Sequence, residues 1–140
     1  MGLPGSGKTH LAVRLQGLLK DCAWYNADAI RKMADDWDFT ESGRHRQAER
    51  MNTLANFEGA RGRTVICDFV CPTIETRKLF DHDIMIWMNT IEQGRFEDTN
   101  KMFQNPDNAT YTVKGFQSDG EIQKFATQLG SAYGLSLIHI

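Results

Sequence analysis

Apolar and polar positions follow two rhythms along the chain. Short unbroken apolar runs, CAWY (22–25), TVICDFV (64–70), DIMIWMN (83–89) and TYTV (110–113), read as buried strands. Between them, helical spacing is predicted at about 9–20, 41–60, 73–80 and 119–129. The first of these helices places Leu11, Leu15, Leu18 and Leu19 on one stripe. The last repeats Ile122, Phe125, Ala126 and Leu129 at i, i+3, i+4 and i+7, with Ser118 or Asp119 able to cap its start and Gly130 its end. Continuous apolar strands separated by helices predict an α/β protein with a parallel sheet covered on both faces. A single domain over residues 1–134 is expected, without repeats, linkers or low-complexity tracts.

The final hexapeptide, LSLIHI (135–140), falls outside this alternation. It resembles the translation of a transposon-end adapter used in sequencing libraries, and is read as a non-native tail. Its partial period-2 alternation leaves a short extra strand as the other reading.

Composition narrows the class. A 41% hydrophobic content over 140 residues allows a real core, and a net charge of −2 gives no general attraction to nucleic acid or membrane. Small-molecule nucleotide substrates are the expected partners, with no membrane and no nucleic acid. Cys22, Cys67 and Cys71 have no C-x-x-C spacing, which excludes a disulfide framework or zinc site and points to a reducing cytoplasm. No apolar run reaches spanning length, and the first 20 residues lack signal-peptide order. His10, His45, His82 and His139 show no metal spacing.

The chemistry begins at the start of the chain, MGLPGSGKTH. Gly2, Pro4, Gly5, Ser6, Gly7, Lys8 and Thr9 carry the pattern G-x-x-x-x-G-K-[ST] in full. Glycines let backbone N–H groups turn onto phosphate oxygens, the lysine reaches the β and γ phosphates, and the threonine hydroxyl ligates Mg²⁺. ATP and Mg²⁺ are therefore expected. A helix follows this loop, as the pattern requires, but the strand that should feed it is missing. Further along, Asp28 and Asp68 stand at the ends of apparent strands, where ligands collect in open parallel sheets. Asp28 can serve as base toward an attacking hydroxyl or as a helix N-cap, and Asp68 can support Mg²⁺.

After the loop, YNADAIR, WDFTESGRHRQAER, CDFVCPT and EDTNKMF occur in order, and with it they make the chain resemble the adenylylsulfate kinase family up to about residue 103. Members of that family phosphorylate the 3′-hydroxyl of adenylyl sulfate with ATP and Mg²⁺. The resemblance implies a three-layer, nucleoside-kinase-like phosphate-loop fold with strand order 2-3-1-4-5, so the missing N-terminal strand is the central one. It assigns catalysis to Lys8 and Asp28, and the acceptor to Asp28, Arg31, Phe39, Arg44, Gln47, Phe69, Cys71 and Pro72. Arg50 and Arg77 match further arginines, and Arg95 stands near the family's ATP-gripping arginine. Departures are Asn26 for an aspartate, Ala27 for a glycine, Gln47 for an asparagine, Cys71 for a serine, Glu97 for an arginine, Asn100 for a lysine, and a short lid.

Without its central strand the sheet would leave backbone groups of 64–70 and 83–89 unpaired, each costing about 1–3 kcal/mol if buried. The chain is thus expected to be marginally stable, with residues upstream of Met1 in its parent gene. The two strands are expected either to pair directly or to flank a gap.

Overall fold

All five residues of β2 (Thr64–Asp68) are buried, which is why TVICD shows no polar alternation. Its neighbours bury it on both sides. The computed structural model describes residues 1–133 and 137–140, and places β2 in a five-stranded parallel sheet of order β1-β2-β5-β3-β4. The other strands are β1 (Cys22–Asn26), β3 (Ile84–Met88), β4 (Tyr111–Val113) and β5 (Leu137–His139).

Helices cover both faces. α1 (Lys8–Leu18) and α6 (Asp119–Tyr133) pack on one side, where Leu11, Leu15, Ile122, Phe125 and Leu129 meet Ile66, Ile84, Ile86 and Ile138. α3 (Glu41–Gly59) lies on the other, where Met51 and Ala55 meet Val65, Cys67, Phe69 and Phe80. Three layers and two apolar faces agree with the sequence reading.

The differences are local. Leu18 is 47% exposed and leaves the Leu11–Leu15 stripe, because α1 ends there and Leu19 turns back toward the core. Ser118 caps α6 by accepting the Glu121 N–H at 3.2 Å, but Gly130 does not end that helix, which runs to Tyr133. Two short helices add to the predicted set: α2 (Ala27–Ala34) and α5 (Glu97–Met102). A fourth buried-face helix, α4 (Ile74–Lys78), is closed by a reciprocal Thr73/Thr76 capping box.

The central position contradicts the expectation of a gap or a direct pairing. β5 fills it, hydrogen-bonded in register to both β2 and β3. Of the hexapeptide 135–140, residues 135 and 136 lie outside the described residues, and the remainder takes the strand alternative.

Candidate phosphate and acceptor sites

The loop over residues 2–7 runs from the sheet to the N-terminus of α1 and is shaped by close backbone approach. A Cβ on Gly2 would lie 2.7 Å from the Met88 carbonyl oxygen and 2.9 Å from Ser6 Oγ. Gly7 caps α1 in the left-handed region (φ 95°), without a side-chain cap, and no acidic residue occupies the first turn. The helix start therefore keeps N–H groups and its positive dipole end for an anion. Ser6 Oγ is buried beneath the loop with no hydrogen-bond partner. Gly94 leans on Pro4, whose carbonyl oxygen would sit 2.9 Å from a Gly94 Cβ.

Lys8 is buried and donates from Nζ to the Leu3 carbonyl at 2.9 Å. Burial lowers its pKa to about 8; Asp68 and Asp28 oppose that shift, while Arg95 adds to it. Thr9 Oγ1 donates to Asp68 Oδ2 at 2.8 Å. Asn26, the last residue of β1, closes the corner: its Nδ2 donates to Asp68 Oδ2 at 3.0 Å and lies 3.3 Å from Thr9 Oγ1. Its Oδ1 accepts the Ala29 N–H at 3.0 Å, so Asn26, not Asp28, is the N-cap of α2. The Thr9 hydroxyl donates to Asp68 and accepts from Asn26, which leaves one of its lone pairs for a cation. Thr9 and Asp68 thus offer the hard oxygens that Mg²⁺ prefers, beside a loop for its phosphate partners.

Eight predicted acceptor residues line one pocket: Asp28, Arg31, Phe39, Arg44, Gln47, Phe69, Cys71 and Pro72. Phe39 projects from the α2–α3 connection with Arg31 Cζ 4.4 Å and Arg44 Cζ 5.5 Å from its ring centroid. Arg31 is itself tied by Nη1 to the carbonyls of Asp36 and Asp38 at 2.9 and 3.2 Å. Gln47 Nε2 donates to the Ala27 carbonyl at 3.0 Å. The free volume of the pocket is only about 80 Å³, well below the several hundred of a typical ligand cavity. Arg50 does not line it; its guanidinium is spent on Asp36 and Gln47 at 2.9 and 2.6 Å. Arg77 also turns elsewhere, donating to the carbonyls of Cys71, Pro72 and Gln104. Cys71 has a left-handed backbone (φ 46°), and burial pushes its thiol up to about 11, so it is a small neutral wall residue.

On the opposite side of the loop, Arg95 is exposed with its guanidinium 5.4 Å from the Phe96 ring. Asn100 brackets Gly94, donating to its carbonyl and accepting its N–H at 2.9 and 2.7 Å. Sequence reasoning missed Phe116. This 68% exposed ring reaches within 3.1 Å of the Gly7 Cβ position, so it stands over the head of α1. The available signal was a lone aromatic in the polar stretch KGFQSDG.

A glycine loop heading a helix, a lysine and threonine at its end and an acidic strand terminus opposite define a phosphate-loop α/β protein of the nucleotide-binding class. The adenylylsulphate kinase family profile matches residues 1–113. The chain belongs to that family. The "Probable adenylyl-sulfate kinase" of Aeropyrum pernix is 33% identical over 87 residues, 56% of this chain and 45% of that protein, so the chain spans under half of that relative's length. Among solved structures, the APS kinase of Mycobacterium tuberculosis, in complex with AMPPNP and APS, superposes with a TM-score of 0.73 at 19% identity, covering 94% of this chain and 92% of the other. A sugar kinase from Janibacter sp. HTCC2649 gives 0.71 at 14% identity, covering 96% and 93%. The fold is therefore shared by kinases with unlike acceptors.

Proposed function

We propose that the chain is an ATP-dependent kinase that transfers the γ-phosphoryl group to a hydroxyl, with the 3′-hydroxyl of adenylyl sulfate as leading acceptor. One observation carries the reading: Asp28 lines the acceptor pocket while its charge reaches Lys8 in the phosphate loop. A carboxylate of the pocket thus favours the charged form of the phosphate-loop lysine.

In this proposal the loop N–H groups, the head of α1 and Lys8 hold the phosphates. Asp28 accepts the hydroxyl proton as the acceptor oxygen bonds to the γ phosphorus, and the bond to the β–γ bridging oxygen breaks, releasing ADP. Thr9 and Asp68 would hold Mg²⁺, which when bound supplies neutralising charge to the phosphates. Phe39 offers a stacking face, Arg31 and Arg44 offer anion forks, and Arg95 and Phe116 border the ATP side. The single catalytic domain in this reading spans residues 1–134, with β5 completing the centre of its sheet. Its proposed setting is the cytoplasm, which suits three free cysteines. No helix among the described residues is long and apolar enough to cross a membrane.

A second reading, ATP binding without transfer, is favoured by Asn26, whose amide occupies a corner where the family carries a carboxylate. ADP formation by the purified chain across a panel of hydroxyl acceptors decides between them. Turnover that requires adenylyl sulfate and falls on the order of a thousandfold in Lys8→Ala supports the kinase. Nucleotide binding with no acceptor-dependent turnover supports the binding module.

A further inference from the structure

Phe39 is carried by the connection between α2 and α3, residues 35–40, which has no regular secondary structure of its own. Its position is therefore set by what it is tied to. Asp36, half-buried in this segment, accepts from Arg46 Nε at 2.7 Å and Nη2 at 3.0 Å, and from Arg50 Nη2 at 2.9 Å. A two-pronged arginine contact of this kind fixes direction as well as distance. The Asp36 carbonyl accepts from Arg31, and its Oδ1 also accepts the Asp38 N–H at 3.3 Å. One residue thus joins α2, the connection and α3. From Arg50 the bonds continue through Gln47 to the carbonyl of Ala27, the residue before Asp28.

The second anchor is steric. Asp38 is seated on the first turn of α3, where a Cβ on Gly43 would overlap its carbonyl oxygen and its Cγ. Gly43 has ordinary helical backbone, so what the contact uses is the absent side chain. Hydrogen bonds lock the same corner: Asp38 Oδ1 accepts the Thr40 N–H at 2.9 Å and the Thr40 hydroxyl at 2.6 Å, and Thr40 Oγ1 caps α3 by accepting the Gly43 N–H at 3.3 Å. Phe39 lies between these two anchors, and its carbonyl accepts from Arg44 Nε at 3.0 Å.

We propose that Asp36 and Gly43 are positioning residues for the phosphoryl acceptor, which fix where the Phe39 ring and the Arg31 and Arg44 guanidinium groups stand. The proposal rests on the reading that this pocket receives the acceptor. Neither residue lines the pocket, so both act through others. Arg31 comes from α2, Phe39 from the connection and Arg44 from α3, and their spacing around the ring holds only while the three pieces are tied. In a pocket this narrow, a displacement of about 1 Å in one wall changes the fit of a ligand. None of these bonds reaches the phosphate loop, so ATP binding is independent of them.

Amide hydrogen exchange and steady-state kinetics test this on four whole chains: the unmodified chain, Asp36→Asn, Gly43→Ala and, as a control, Asp21→Asn, which loses an ion pair to Arg63 ahead of β1. Gly43→Ala leaves α3 itself no weaker, since alanine is the better helix former. The reporting amides are those of Asp36, Asp38 and Thr40, which donate to the Arg31 carbonyl, Asp36 Oδ1 and Asp38 Oδ1. They are expected to exchange roughly tenfold faster or more in Asp36→Asn and Gly43→Ala, and unchanged in Asp21→Asn. The KM for adenylyl sulfate should rise roughly tenfold in Asp36→Asn and threefold in Gly43→Ala, while the KM for ATP stays within a factor of about two. Unchanged exchange in either variant, an unchanged KM for adenylyl sulfate, or KM values for both substrates that rise together would overturn the proposal. If Asp36→Asn does not fold, Gly43→Ala carries both readouts. If the unmodified chain does not turn over adenylyl sulfate, the kinase reading fails by itself, and the exchange rates alone decide whether these two residues hold the wall.

Discussion

Lys8 is held where its charge is costly until an anion arrives. Burial sets its pKa near 8, below the 10.5 of a free lysine. At pH 8.5 most of the unliganded protein therefore carries Lys8 neutral. Phosphate oxygens favour the charged form, so nucleotide binding at this pH is expected to take up protons, and affinity should fall by up to about tenfold per pH unit above 8. Calorimetry of ADP binding in buffers of different ionisation enthalpy measures the uptake directly, and a buffer-independent enthalpy at pH 8.5 would contradict it. Phe39 is open to an independent check. Arg31 and Arg44 lie against its ring, and if it is the acceptor's stacking surface, as proposed, Phe39→Ala should raise the KM for adenylyl sulfate roughly tenfold, since stacking of a base on an aromatic side chain is worth about 1–3 kcal/mol. The KM for ATP should stay within a factor of two. The site was legible in sequence to the extent that its chemistry is local: the loop is contiguous, and Asp28, Phe69 and Cys71 follow strand ends. The clasping role of Asn26 depends on Asp68, 42 residues away, and no local pattern announces it. Phe116 was missed because its partner Gly7 is more than 100 residues earlier.

β5 shows how one element can determine the acid response. Burial, then the Met1 ammonium, His82 and Arg77, hold the His139 pKa well below 6.5, so the folded chain keeps this ring neutral while the unfolded chain protonates it. Below about pH 6.5 the unfolded state binds the extra proton, and this residue alone makes stability decline by up to about 1.4 kcal/mol per pH unit. The Met1 ammonium, likewise depressed, adds a separate decline that begins near pH 8. His139→Leu should remove the first decline and leave the second. At neutral pH it should also stabilise the chain by about 1–3 kcal/mol, because two buried unpartnered nitrogens disappear. Urea unfolding of both chains at pH 5.5 and 7.5 separates these effects; parallel pH profiles would rule out His139 as the source. The elements read correctly from sequence are α1, α3 and α6, which have room for a period, the short α4, and the unbroken apolar strands. α2 begins with no intervening loop after β1, its cap being the last strand residue, and α5 has six residues and no side-chain cap. Neither length allows a hydrophobic stripe to declare itself. β5 was ambiguous because three residues of alternation mean little until β2 and β3, far away in sequence, are seen to bracket them.

In the molecule as a whole, the three layers and the parallel sheet were readable because β2 and β3 are buried on both faces almost throughout and every crossover is helical. The order of the four expected strands is the one the family resemblance implied, whereas the occupant of the central position was not readable, since nothing local states that the first and last residues of the chain are neighbours. That neighbourhood has a topological meaning. With Met1 following Ile140 in register, the covalent path is a ring with one cut, and the cut lies in the middle of the sheet, under the phosphate loop. Sheet centres tolerate a missing bond poorly, whereas exposed turns tolerate it well. Moving the cut, by joining Ile140 to Met1 through one peptide bond and opening the turn at Gly62, should leave ADP affinity unchanged and raise the melting temperature by about 5 °C, because the buried ammonium becomes an ordinary amide. A rearranged chain that melts lower while retaining its far-ultraviolet helix signal would show that the two ends do not meet as one strand. On the expected outcome the permuted chain is the same molecule written from a different starting residue, with its phosphate loop moved from an end of the sequence to its interior.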